Sequence, residues 1–368
     1  MSAIGIMGLF IILFWLASLE IVRKRRSASI IVIFVVALFC FLIEKRGDNV
    51  PDTIAYRNLF VSLKTDSFIL FKERKNYLME WGFLIFCQII KMLFGEGVSA
   101  LWIGAALCST GFSYMAVIEL EKGEIISGRK KNMNFLPCLF FLCYISYFGL
   151  FYNAIVVRTG IALSLAFLSA AFINNRKWKR GIIIFICASL FHRSVFILLP
   201  AFVFLLADIK IKRSMYQILW CIYFVLFAVN IGYLLLQLML KVMLFIGNTF
   251  SFMEHFLYYK DDIVPEGLYS KKNILFLFMG LFFSFGDLKS KTYRKCLNIY
   301  YIGLGVLLFL GNWLIGYRII DLYLFFSIPL LYLFFKNINL KKQKGDILVF
   351  YGFIVMELIA VLRVIGLN

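Results

Sequence analysis

The sequence predicts an all-α, polytopic helical membrane protein: a single transmembrane domain over residues 1–368 with about 11–12 membrane segments. Three observations carry this reading. Hydrophobic residues make up 62% of the chain and charged residues only 16%, and the mean hydropathy is +0.90. Several runs reach the roughly 20 apolar residues that cross a hydrocarbon core, where a chain must satisfy its own backbone groups, as a helix does. Finally, the basic residues gather in short clusters between apolar runs. A formal net charge of +19 on a soluble chain would suggest a nucleic-acid partner, but clustered in this way it is the topology signal of cytoplasmic loops, and no nucleic acid is expected.

Apolar spans are expected at 3–22, 27–43, 98–118, 134–152, 157–174, 181–207, 216–246, 273–286, 297–315, 319–335 and 347–365. The first ends directly in Arg23-Lys24-Arg25-Arg26 and has no basic stretch before it, so it reads as a span rather than a cleaved leader. Trp81 to Phe94 is too short to cross and reads as an interfacial or re-entrant helix. No repeat is visible. The eight cysteines lie in or beside apolar segments with no CxxC pair, which reads as buried thiols packing as small hydrophobes.

Six basic clusters, at 23–26, 128–131, 176–180, 210–213, 289–295 and 336–344, hold more than half of the Lys and Arg. The positive-inside rule puts them on the cytoplasmic face. External loops then fall at about 44–80 and 247–272, with further outward turns near 152–158 and 313–318. Between the clusters at 176–180 and 210–213 lies one run, 181–207, interrupted by His192-Arg193-Ser194. Two short helices with an outer turn at those residues keep both clusters inside. One continuous helix of about 39 Å is the alternative, and it would leave 210–213 outside.

This topology gathers Asp52 to Tyr56, Arg158, His192-Arg193 and Arg318 at one membrane face. A charge within a membrane segment costs on the order of 3 kcal/mol on insertion scales, so it faces a cavity or a partner. Arginine's planar fork grips phosphate oxygens in pairs and stays charged at low dielectric. The cluster therefore suits a lipid phosphate or pyrophosphate. No HExxH, Walker A, GxSxG or DxD pattern occurs, so no metal site and no cofactor are expected. Asp261-Asp262 and His255 read as loop residues.

The motifs resemble, in order, those of the EpsG family of Wzy-like polysaccharide polymerases. DTIAYRNLF (52–60) is similar to the D-T/Y-x-x-Y-x-x-x-F signature of the first external loop, and EWGFLIF (80–86) to the glutamate segment after it. RTGIALSLAFLSAAFINNRKWK (158–179), SLFHRSVFILLP (189–200) and RIIDLYLFFSIPL (318–330) resemble the arginine helix, the F-H-x-S stretch and the late arginine helix. Thr159 stands where the family has glutamine, Pro51 precedes the signature aspartate, and Arg193 adds a charge beside the histidine.

The resemblance implies a GT-C-like, metal-independent glycosyltransferase of the bacterial inner membrane. It would join undecaprenyl-pyrophosphate-linked oligosaccharide repeat units into O-antigen, capsule or exopolysaccharide on the periplasmic face. A flippase and a chain-length regulator would be its partners. A flippase for the same lipids and an O-antigen ligase are the competing classes. On this reading Arg158 and Arg318 neutralise the leaving pyrophosphate. His192 is the first choice of base, because imidazole titrates near neutrality; Asp52 follows, then Glu80. Arg193, Glu80, Tyr56, Asn153, Tyr317 and Asp321 complete the substrate-binding set.

Overall fold

The computed structural model describes residues 2–48, 50, 52–63, 79–126, 135–247, 263–313, 316–337 and 344–366. The cluster at 128–131, His255, Asp261-Asp262, and residues 64–78 and 248–262 of the expected loops lie outside the described residues. Those described are helical apart from connecting turns and one isolated bridge, Ile263 to Trp313. They divide into two compact units: Met1–Leu206 with Phe335–Asn368, and Ala207–Phe334.

The first unit contains α1 (Ala3–Arg23), α2 (Ser29–Glu44), α3 (Thr53–Ser62), α4 (Trp81–Phe94), α5 (Val98–Ile126), α6 (Pro137–Ala154), α7 (Val157–Asn174), α8 (Trp178–Phe191) and, after a 3-10 turn, α9 (Leu199–Leu206). The second unit contains α10 (Arg213–Ala228), α11 (Ile231–Gly247), α12 (Lys271–Ser284), α13 (Lys291–Leu310), α14 (Gly316–Leu324) and most of α15 (Ser327–Lys336). The chain then returns to the first unit with α16 (Lys344–Ile365).

The first unit is organised on α7, which is buried along nearly its whole length. Gly160 leaves room for Tyr152 of α6, and Ala162, Ser164, Ala166 and Ser169 keep the rest of its surface low, so α5 and α8 approach closely, as helix packing in lipid requires. Ser113 of α5 donates to Ser164 Oγ at 2.9 Å, and Ser169 Oγ donates to the Gly181 carbonyl at 2.7 Å. Helix α6 is likewise buried on all sides, with a π turn at Ile145–Gly149 where Ser146 donates to Glu357 of α16.

The described residues of the clusters at 23–26, 176–180 and 336–344 meet at one end. Lys24 Nζ donates to the Lys336 carbonyl at 2.8 Å, Lys336 pairs with Glu121, and Lys177 pairs with Glu119. Glu20 accepts the backbone N–H groups of Ser27, at 2.9 Å, and Leu139, at 3.0 Å, capping the first turn of α6. Because α2 and α8 run away from this end while α5 and α7 run toward it, Arg46, Trp102, Arg158 and His192 fall at the opposite end.

Residues 181–207 form a hairpin. Helix α8 stops at Phe191, His192 is extended (φ −158°, ψ 124°), and Arg193–Leu198 forms the 3-10 turn. Phe185 then packs on Phe196, with ring centroids 5.8 Å apart, and on Phe202, at 4.9 Å. In one continuous helix, 17 residues would separate Phe185 from Phe202 by about 26 Å, so the chain has doubled back.

In the second unit, Arg294 pairs with Asp208 and Arg213 Nη2 donates to the carbonyls of Phe285 (3.3 Å) and Gly286 (3.2 Å), drawing the clusters at 210–213 and 289–295 together. The expected span 216–246 is not one helix: α10 and α11 meet at a 64° bend. Asn230 takes a left-handed conformation (φ 54°), which ends the first helix, and its side chain donates to the Pro265 carbonyl at 2.8 Å.

Among the described residues, six helices are long and apolar enough to cross a membrane, or seven if the bent pair is one span. The difference from the expected 11–12 has a simple origin. Helix α2, with 16 residues, is about 24 Å long, α12 and the two hairpin arms are shorter, and α13 opens on Lys291, Arg294 and Lys295.

The hairpin predicts a labelling pattern. On a cysteine-free background, cysteines at Trp178 and Leu206 should react with an impermeant maleimide from one side of the membrane and a cysteine at Arg193 only from the other. Labelling of 178 and 206 from opposite sides would require a continuous helix.

Candidate active site

At the end away from the basic clusters, two short helices carry the first part of the site. Lys91 of α4 donates to the α3 carbonyls of Phe60 (3.3 Å) and Val61 (3.0 Å) and to that of Leu63 (2.7 Å), capping α3 and tying it to α4. Tyr56 of α3 is buried between Phe83, at a centroid distance of 5.4 Å, and Trp102, at 6.4 Å. Its hydroxyl meets the backbone N–H of Arg158 in the first turn of α7. Burial pushes this phenol's pKa up, and the neighbouring Arg158 opposes the shift.

Helix α4 also touches the hairpin. A Cβ on Gly82 would stand 2.8 Å from the Leu190 carbonyl, so only glycine lets α4 lie against the end of α8 at this depth. The close approach sets Glu80, which precedes α4, beside the histidine that ends α8. Glu80 Oε2 pairs with Arg158 Nη1, and Oε1 lies 3.7 Å from His192 Nδ1. All three side chains are more than four-fifths buried. One carboxylate thus joins the beginnings of α4 and α7 to the hairpin turn.

The histidine's tautomer follows from its other neighbour. The Ser194 N–H donates to Nδ1 at 3.1 Å, so a neutral ring carries its proton on Nε2. The ring in this state offers a donor.

Asp52 stands at the head of α3 with φ 62°. Its side chain makes no capping hydrogen bond and is exposed, leaving the carboxylate available. The loop before it is clasped by Arg57, which holds both oxygens of Asp48 at 2.9 and 2.5 Å. Arg193 is exposed. Asn153, expected to bind substrate, is buried in a polar knot: it accepts from Ser109 at 2.6 Å and donates to the Gly149 carbonyl at 2.7 Å and to Tyr144 at 3.3 Å.

Arg46 is a residue that sequence reasoning passed over. It is only 5% exposed, its Cζ lies 3.3 Å from the centroid of the Trp102 ring, and Nη1 donates to the carbonyls of Asn153 (3.3 Å) and Ala154 (2.8 Å). Burial pulls its pKa down to about 9, against the raising effect of Tyr56 and Asp52, so it remains a cation at neutral pH. An arginine just past an apolar run, six residues before Asp52, was the available signal.

Arg318, Tyr317 and Asp321 belong to the second unit. Arg318 is exposed, Tyr317 donates to the Gly267 carbonyl at 2.8 Å, and the buried Asp321 pairs with Lys272 at 2.5 Å. The described constellation is therefore Arg46, Asp52, Tyr56, Glu80, Arg158 and His192, all from the first unit.

Residues 29–366 match the EpsG family. No curated protein and no solved structure matches the chain. The match covers nearly the whole sequence and every residue of the constellation, in a chain whose long apolar helices make it a multi-pass membrane protein.

Two substitutions test the carboxylate junction. Glu80→Gln leaves a part-buried guanidinium without its counter-charge and should cost about 3 kcal/mol; adding Arg158→Gln should restore part of the loss in thermal unfolding. Gly82→Ala must push α4 off α8 and should lower stability by about 1–3 kcal/mol, whereas Gly111→Ala, inside α5 and meeting open space, should not lower it and is expected to raise it slightly.

Proposed function

The chain belongs to the EpsG family, and from that premise we propose that it is a membrane glycosyltransferase that polymerises oligosaccharide repeat units carried on undecaprenyl pyrophosphate. The observation that carries this reading is the Arg158–Glu80–His192 junction, built at the membrane end opposite the basic clusters. With the clusters cytoplasmic, that end opens to the periplasmic or outer face, where lipid-linked units are joined.

In the proposed reaction, a sugar hydroxyl of one lipid-linked unit attacks the anomeric carbon of the growing chain. The bond from that carbon to the pyrophosphate oxygen breaks, and the lipid pyrophosphate leaves with the electron pair. Arg158 neutralises the developing charge, and its Nε, buried without a hydrogen-bond partner among the described residues, is free to contact the anion. Arg193, exposed on the hairpin turn, adds a second positive charge. The fixed tautomer gives His192 the part of donor: Nε2–H bonds a phosphate oxygen as charge builds there. Asp52, exposed and not used as a cap, takes the hydroxyl proton. This reverses the order that side-chain chemistry alone assigns to these two residues, and the reason is the Ser194 N–H on Nδ1.

Deleting the gene and separating surface glycans on a gel tests the class. Loss of the polymer ladder with a single capped repeat unit remaining is the expected result. Polymer that stays lipid-linked would mark a ligase, and units trapped inside the cell a flippase. Within the polymerase reading, Asp52→Asn and His192→Ala should each abolish ladders at unchanged protein level. His192→Gln, which keeps a donor near the Nε2 position, should retain part of the activity; complete loss would return the base to His192. Arg158→Lys keeps the charge but not the fork and should impair polymerisation.

A further inference from the structure

The end of the first unit where the basic clusters meet carries more positive charge than its described acids consume. Glu119 Oε1 accepts from Lys177 and, at 3.1 Å, from Asn175 Nδ2, and Lys122 lies 3.4 Å from Oε2. Glu121 is held by Lys336, and each oxygen of Glu20 accepts a backbone N–H. Arg23, Arg25, Arg26, Arg176, Lys179 and Arg180 are exposed, and none of them makes an ion pair among the described residues.

Half of these cations stand on one short turn. Helix α7 ends at Asn174 and α8 starts at Trp178. Between them the Arg176 N–H donates to the Ile173 carbonyl at 3.0 Å and the Lys177 N–H to that of Phe172 at 2.9 Å. This pair of bonds ends a helix through a left-handed residue that is usually glycine. Here that residue is Arg176, with φ 59°. A side chain is strained in this conformation, so the turn itself gives no reason for an arginine. The turn is also fastened in place, because Asn175 and Lys177 both hold Glu119 near the end of α5. Trp178, 43% exposed, opens α8 between the cations. Indole rings favour the headgroup level of a bilayer, which puts Arg176, Lys179 and Arg180 at the depth of lipid phosphates. The 18 residues of α7 span about 27 Å, close to the thickness of a hydrocarbon core.

We propose that the α7–α8 turn is a headgroup site for an anionic phospholipid, with the lipid phosphate on Arg176, Lys179 and Arg180. Arg23, Arg25 and Arg26 add to the field at the same end. Arginine pairs with phosphate oxygens through its fork, and each cation near an anionic surface strengthens binding about fivefold. The headgroup depth that Trp178 sets is what favours a lipid over an acidic protein segment. The site stands apart from the polymerase reading, since it lies at the end of α7 away from Arg158. A lipid held there fixes the depth of α7, and with it the depth at which Arg158 meets the other face.

Native mass spectrometry of the purified full chain, titrated with phosphatidylglycerol and with phosphatidylcholine, tests the site. Arg176→Gly suits the left-handed backbone, so it should raise the Tm in phosphatidylcholine while weakening the first bound phosphatidylglycerol about fivefold. The triple variant Arg176→Gln, Lys179→Gln, Arg180→Gln should weaken it more than tenfold, with phosphatidylcholine unchanged. Lys210→Gln with Lys212→Gln, which removes exposed charge from the other unit, should change it less than twofold. A raised Tm in Arg176→Gly with phosphatidylglycerol affinity within twofold of wild type would leave the turn a purely structural element and overturn the proposal. An equal loss in the Lys210 and Lys212 variant would overturn it in favour of a general surface field. Displacement of the lipid by millimolar inorganic phosphate would make this a free-phosphate site instead. Binding of a polyglutamate peptide that the triple variant loses, with lipid affinity kept, would make it a protein-docking surface. If the triple variant fails to fold, Arg176→Gly alone decides.

Discussion

A charge held among apolar helices needs a partner, and the first unit meets that need at Glu80. Its carboxylate balances Arg158 at the start of α7 and lies beside His192 at the hairpin turn. Removing one member of such a pair leaves a charge at low dielectric, which costs far more than the pair contributes. The junction therefore holds three chain segments in one arrangement, and the side chains proposed to act on substrate are oriented by it. The close approach at Gly82 and the cap that Lys91 places on α3 are what bring Glu80 and Asp52 to the same end.

The opposite end of the unit uses the same physics for a different purpose. Glu119, Glu121 and Glu20 engage lysines and free backbone N–H groups where the basic clusters converge. These contacts lock helix ends together, while Arg23, Arg25, Arg26 and Arg180 stay exposed around them. At the site end, by contrast, Arg46 and Arg158 retain buried donors without partners among the described residues. Buried polar groups are ordinarily satisfied, so the unspent donors at one end of this unit are the feature on which the proposed anion site draws.

Much of the architecture was legible beforehand. Apolar length and basic clustering gave the helical membrane class, and the demand that clusters share one face required residues 181–207 to double back, as the Phe185–Phe202 contact now shows. The bend at Asn230 was not legible, because its left-handed backbone depends on a partner 35 residues away, the Pro265 carbonyl. The tally of long apolar helices among the described residues, six or seven, is smaller than the number of apolar runs for a related reason. Hydropathy counts apolar residues, and it does not see that α2, α12 and the hairpin arms are short helices supported by their neighbours.

For the site, the sequence by itself determined the residue types and the face. Asp52, Glu80, Arg158 and His192 stand out because ionisable groups beside membrane segments are expensive and have to be explained. Tertiary structure alone decided which partners they find. Arg46 gained its importance from the Trp102 ring and from carbonyls more than a hundred residues away. Asn153 became part of a buried polar knot, and Asp321 the partner of Lys272. The tautomer of His192 was set by one backbone N–H at the turn. Composition and periodicity record which groups are costly to bury; which partner each group finds depends on directions and distances that only the packed helices fix.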